Sequence, residues 1–161
     1  MRRPLALVPG LGPAALALLL VGAGPAAAGG LRPADEARPR VAHHLREVER
    51  LARHFEDVLA RACPRFASAA EWTVWVDGEV DRVVLLLAHL EQAWVEAKTT
   101  PDDDVRRAAK APRRRRGRVH ALVDKLQGCA DGHGASLAPE AVWRRVEREV
   151  PARQGEIALP E

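Results

Sequence analysis

The stretch from Ala69 to Lys98 reads AAEWTVWVDGEVDRVVLLLAHLEQAWVEAK, and its apolar pattern decides the fold. Apolar residues recur in it at alternating spacings of four and three, which places them along one side of an α-helix. The series consists of Val76, Val80, Val83, Leu87, Leu90, Trp94 and Ala97. Because Val84, Leu85 and Leu86 fill the space between two of these positions, the middle of the helix is apolar on nearly every side. We therefore expect a central helix that other helices surround.

A start signal lies directly before this helix. Ser68 and Glu71 have the S-x-x-E spacing of a capping box, in which the hydroxyl and the carboxylate satisfy backbone N–H groups that lack helical partners. The sequence therefore predicts a helix that begins at Ala69.

The segment before the central helix carries the same helical period. Its apolar positions are Val41, Leu45, Val48, Ala52, Phe55, Leu59 and Ala62. We expect this helix to begin at Arg40 and to end at Cys63, because Pro64 pushes the residue before it out of helical geometry.

Two further helices are predicted after the central one. Thr100 is a candidate cap for a third helix that breaks or kinks at Pro112 and continues to Gly128. A short last helix begins near Pro139 and stops at Pro151. No stretch alternates with the period of a β-strand. The sequence thus predicts an all-α fold, a small helical bundle of three long helices plus one short C-terminal helix.

The N-terminal residues have the organisation of a secretory signal peptide. Arg2 and Arg3 precede an apolar run, and the small residues Ala26, Ala27 and Ala28 form a cleavage site. We interpret residues 1–28 as the signal peptide, 29–39 as a flexible leader, 40–151 as the helical bundle domain and 152–161 as a C-terminal tail. This organisation predicts export to the periplasm or the exterior, with no transmembrane segment after cleavage.

The two cysteines are predicted to form a disulfide. Cys63 and Cys129 lie at the ends of the first and third helices, and an exported chain meets an oxidising compartment. Helices one and three run parallel in an up-down-up bundle, so their C-terminal ends share one end of the bundle and can be bridged.

The six histidines suggest a metal or haem site, but they lack the spacing of known ligand motifs. There is no H-E-x-x-H, no di-iron Glu-x-x-His and no C-x-x-C-H. We therefore expect no cofactor. The alternative is a metal- or haem-binding bundle in which His44, at the edge of the apolar stripe, pairs with His89 or His120.

Residues for catalysis are scarce. After the signal peptide the chain holds only Ser68 and Ser136, neither in a G-x-S-x-G context. No pair of carboxylates in an apolar setting and no glycine-rich phosphate loop is present. We expect a protein that is not an enzyme.

The most distinctive surface feature is a basic run. It consists of Lys110, Arg113, Arg114, Arg115, Arg116 and Arg118. Clustered guanidinium groups bind phosphate and carboxylate groups in a bidentate way, although such runs are also common as solvated linkers. The formal charge of +3 falls to +1 when Arg2 and Arg3 leave with the signal peptide, so the positive potential is local.

These observations together predict an exported helical-bundle protein with a structural or interaction role. Its expected partner, bound through Arg113 to Arg116, is an anionic component of the cell envelope or an acidic protein. Nucleic acid is not expected, because an exported protein does not meet it. The pattern leaves the oligomeric state open.

Overall fold

The structure is a computed structural model that describes residues 31–160, apart from the side chains of Arg113 and Arg114. The predicted signal peptide lies outside the described residues. Residues 31–160 form α-helices and short 3₁₀ segments without a strand, so the prediction of an all-α fold is confirmed. The helices are α1 (Ala34–Ala60), α2 (Ala69–Lys98), α3 (Asp103–Lys110), α4 (Arg116–Ala130) and α5 (Pro139–Ile157).

Helix α2 is the centre of the bundle and has the predicted bounds. It packs against each of the other four helices, and Val83, Leu86 and Leu90 on it are almost fully buried. At its start the Ser68 hydroxyl accepts a hydrogen bond from the Glu71 backbone N–H. The Glu71 carboxylate accepts one from the N–H of Ala67, one residue earlier than a standard capping box would place it.

Helix α1 begins six residues before the predicted Arg40, so the prediction of a flexible leader is wrong for residues 34–39. Pro39 lies within the helix, although proline removes a helical hydrogen bond. Contacts with other elements compensate, because Ala37 is fully buried and Arg38 forms an ion pair with Asp102. The helix ends at Ala60, and Arg61 is already extended.

The third predicted helix is divided at the expected place. Helix α3 ends at Lys110, a 3₁₀ segment spans Ala111–Arg115 with Pro112 inside it, and α4 then continues to Ala130. The cap of α3 differs from the prediction. Asp102 rather than Thr100 accepts the hydrogen bonds, from the backbone N–H groups of Asp104 and Val105.

Helix α5 has 19 residues and includes Pro151, so the prediction of a short helix that stops there is wrong. Most of the predicted tail is helical. Three hydrogen bonds hold this part of the chain on the bundle: Gln154 donates to Gln92 on α2, and Arg40 donates to the carbonyls of Leu159 and Pro160. None of the helices within residues 31–160 combines the length and the apolar character that crossing a membrane requires.

Candidate functional site

The predicted disulfide joins Cys63, just after α1, to Cys129 in the last turn of α4. Their Sγ atoms are 2.01 Å apart and their Cα atoms 5.5 Å apart. The prediction of one disulfide is therefore confirmed. It links the C-terminal ends of α1 and α4 at one end of the bundle.

An aromatic cluster packs beside this disulfide. Trp72 is buried, and the His133 ring stacks on it at a centroid distance of 4.6 Å. His133 Nε2 also lies 2.9 Å from the Pro64 carbonyl oxygen, to which it donates a hydrogen bond. Phe66 and Trp75 extend the cluster, with ring centroids 5.7 Å apart. These side chains therefore stabilise the end of the bundle.

Two arginines of the basic run form ion pairs with different helices. Arg115 reaches α1, where it forms ion pairs with Glu49 at 2.7 Å and with Glu56 at 3.3 Å. The next residue, Arg116, forms an ion pair with Glu91 on α2. Two neighbouring arginines thus join the 3₁₀ segment and the start of α4 to different helices.

These ion pairs fix the segment on the bundle, and other cationic side chains of the segment face solvent. We call the six residues Lys110, Arg113, Arg114, Arg115, Arg116 and Arg118 the basic surface. Lys110 is exposed, and the side chains of Arg116 and Arg118 are 50% and 55% exposed. These three cationic side chains therefore face solvent on a segment that ion pairs fix to the bundle.

The structure brings His44 and His89 together in the interface between α1 and α2. Their Nδ1 atoms are 3.0 Å apart, and both side chains are buried. One ring donates its Nδ1–H and the other accepts it, which requires at least one neutral imidazole. Nε2 of His44 has no hydrogen-bond partner among the described residues. The two rings therefore form a buried and incompletely satisfied polar pair.

Burial makes both rings poor bases. Desolvation, together with the nearby His89 and His43 rings, lowers the pKa of His44 from 6.5 to about 4. Desolvation also lowers the pKa of His89. At neutral pH both imidazoles are uncharged, the form in which histidine binds a metal ion.

His120, the other candidate partner of His44, lies elsewhere. It is exposed on α4 and packs against the Trp143 ring at a centroid distance of 4.3 Å. Within residues 31–160, no group of three or more His, Cys, Asp or Glu side chains is placed to hold a metal ion. A haem does not fit between His44 and His89 either, because their direct contact leaves no space for the macrocycle.

Sequence reasoning missed a buried polar network beside this pair. Arg40 donates to the Glu96 carboxylate at 2.9 Å and 3.3 Å. Gln92 also donates to Glu96, at 3.1 Å, and accepts a hydrogen bond from Gln154. Because Gln92 and Glu96 are buried, the network joins α1, α2 and α5 inside the bundle. The signal for it was present, since His89, Gln92 and Glu96 are three and four residues apart and share one helix face.

A second buried acid lies nearer the disulfide end of α2. Glu79 is 2% exposed, and its carboxylate is 2.8 Å from His54 Nε2 and 3.2 Å from a guanidinium nitrogen of Arg82. With two partners, Glu79 is a satisfied structural group.

The fold and these sites define an all-helical bundle that is closed by one disulfide and carries a basic surface. No protein-family model, curated protein or solved structure matches the chain.

Proposed function

We propose that this chain is an exported, non-catalytic interaction protein that binds anionic lipid headgroups through its basic surface. The observation that carries the proposal is the exposure of Lys110, Arg116 and Arg118 on a segment that ion pairs fix to α1 and α2. Guanidinium groups bind phosphate oxygens in a bidentate way. The predicted export supports a headgroup as the partner, because an exported chain meets membrane surfaces.

The ion pairs also guide the choice of residues to replace in a test of binding. Arg115 is committed to Glu49 and Glu56, so its replacement would loosen the segment as well as remove a charge. Lys110 is exposed, and Arg113 and Arg114 lie in the 3₁₀ segment. These three residues are therefore the ones to replace in a test of binding.

The test compares two triple variants of equal net charge. In the first, Lys110, Arg113 and Arg114 are replaced by serine. In the control, three exposed arginines elsewhere, Arg46, Arg65 and Arg144, are replaced by serine. Both variants are sedimented with vesicles of phosphatidylglycerol and phosphatidylcholine, and with vesicles of phosphatidylcholine alone.

We expect the wild type and the control to bind the anionic vesicles, and the first variant to lose most of this binding. Binding should weaken as salt rises, because exposed charges are screened over about 8 to 10 Å at physiological ionic strength. Equal retention of the two variants would show that only overall charge matters and would contradict the proposal. Failure of the wild type to bind anionic vesicles at low salt would also contradict it.

The second candidate function is metal binding by His44 and His89. It is favoured by one observation, the 3.0 Å contact between two neutral ring nitrogens. Two nitrogen ligands of one tetrahedral zinc ion are about 3.4 Å apart, given Zn–N distances of about 2.0 to 2.1 Å. A small rotation of each ring would therefore give two of the ligands.

Elemental analysis of protein purified from its native host tests this candidate. Stoichiometric metal that is absent from a His44→Leu variant, but retained by a His120→Gln variant, would support it. Metal-free protein that also fails to bind added Zn²⁺ or Cu²⁺ would leave the contact as a hydrogen bond.

A further inference from the structure

A groove lies between α2, α4 and α5, next to Arg116 of the basic surface. Its volume is about 490 Å³, which is within the range of small-molecule binding sites. Apolar side chains from all three helices line it, namely Leu87, Val119, Trp143, Val146, Val150 and Pro151. The groove therefore offers an apolar trough of ligand size.

Arg116 joins this groove to the basic surface. It is both a lining residue and a member of the run. Its ion pair with Glu91 uses one guanidinium nitrogen, and half of the side chain remains exposed. Since a guanidinium carries five N–H donors, Arg116 can bind a second anion without releasing Glu91. An apolar trough thus ends at an available cationic group.

We propose that the groove binds the hydrocarbon chain of a single-chain anionic amphiphile, whose carboxylate or phosphate headgroup pairs with Arg116. The proposal rests on the function proposed above, because exposed cationic side chains of the basic surface attract the headgroup in both. It adds a binding site for the hydrocarbon chain. The half-exposed guanidinium of Arg116 complements an anionic headgroup, and the apolar lining of the groove complements the hydrocarbon chain.

Replacing Glu147 tests the sign of the charge on the ligand. Glu91 and Glu147 both line the groove. Glu91 is paired with Arg116, whereas the exposed Glu147 repels an anion and attracts a cation. Glu147→Gln should therefore tighten the binding of an anionic amphiphile and weaken that of a cationic one. The opposite pattern would overturn the proposal.

Titration calorimetry with octanoate, decanoate and dodecanoate, below their micelle concentrations, tests whether the groove binds the hydrocarbon chain. Each buried methylene group contributes about 0.8 kcal/mol, so Kd should fall about fourfold for each one added. Dodecyltrimethylammonium should bind far more weakly than dodecanoate. An affinity that does not depend on chain length, or equal binding of both headgroups, would overturn the proposal.

A groove-filling variant identifies the location. Val150→Trp places a large ring in the groove, whereas Val74→Trp adds the same ring to α2 at a valine that is 73% exposed and outside the lining. We expect Val150→Trp to weaken dodecanoate binding at least tenfold and Val74→Trp to leave it unchanged. Leu87→Trp, at another half-buried lining position, serves if Val150→Trp does not fold. Equal dodecanoate binding by the groove-filling variant and the control would overturn the proposed location.

The two proposals can fail separately. If the wild-type protein binds anionic vesicles but not dodecanoate, the proposed hydrocarbon-chain site in the groove is wrong. The proposed binding of headgroups by the basic surface is then unaffected. Protein that binds dodecanoate in a chain-length-dependent way, but not anionic vesicles, would contradict the proposed membrane role and leave the groove site.

Discussion

Nδ1 of His44 on α1 lies 3.0 Å from Nδ1 of His89 on α2, within the main helix interface of the bundle. The contact places two titratable rings where neither is readily hydrated. His44 is fully buried, and the charges of Arg40 and Glu96 and the His43 ring also act on its pKa. The interface between α1 and α2 is therefore sensitive to protonation.

The first prediction is that acid destabilises the protein through His44. Well above pH 6.5 the ring is neutral in both the folded and the unfolded chain, so its contribution to stability does not change with pH. As pH falls below 6.5, the unfolded chain takes up a proton that the folded chain does not accept until about pH 4. The free energy of unfolding should thus fall by about 2 kcal/mol between pH 6.5 and about pH 5.

Urea unfolding at several pH values checks this prediction. A His44→Leu variant should show a smaller pH slope in this interval, while a His120→Gln variant should keep the slope of the wild type because His120 is exposed. A slope that is the same in all three proteins would contradict the prediction.

The second prediction concerns the disulfide between Cys63 and Cys129. Replacing both cysteines by alanine should lower the free energy of unfolding by about 4 kcal/mol, because the bond closes a loop with a sequence separation of 66. Thermal melts with and without a reductant measure the effect. Two titratable thiols in freshly purified native protein would refute the predicted bond.

The third prediction compares two arginines of α1. Arg40→Ala removes the cationic partner of Glu96, whose side chain is only 5% exposed, and should cost about 3 to 5 kcal/mol because a buried charge is left unpaired. Arg38→Ala breaks an ion pair in which the arginine is 62% exposed, and should cost less than about 1 kcal/mol. Chemical denaturation of both variants measures the difference, and equal costs would mean that the Glu96 network does not stabilise the bundle.

The fourth prediction concerns the C-terminal residues. Deleting residues 152–161 removes the Gln154 hydrogen bond to Gln92 and the carbonyls of Leu159 and Pro160 that bind Arg40. We expect a loss of about 2 kcal/mol, since buried polar groups lose partners. Arg153→Ala is the control, because the ion pair of Arg153 with Glu156 lies within the same helix. A truncated chain as stable as the control would show that these contacts contribute little.

Local signals predicted the helices well where they agreed with the packing. The bounds of α2 follow from its apolar spacing and from the Ser68 cap, and the division of the third helix follows from Pro112. At Pro39 and Pro151 the local signal failed. Contacts that are distant in sequence, such as those of Arg38 with Asp102 and Gln154 with Gln92, offset the loss of one helical hydrogen bond.

For the candidate sites, too, the sequence predicted some features and missed others. The sequence identified the disulfide because only two cysteines are present. It identified the basic run but not its division, since neighbouring side chains such as Arg115 and Arg116 can turn to different helices. It named His44 with either His89 or His120, and the structure brings only His89 to it.

The sequence by itself determined the all-α class, the central place of α2 and the disulfide, because each depends on periodicity or on a unique pairing of residue types. Only the tertiary structure decided the extent of α1 and α5, the contact between His44 and His89, the buried network around Glu96 and the groove beside Arg116. Each of these depends on the distance between residues far apart in the chain, which helix packing sets and local pattern does not encode.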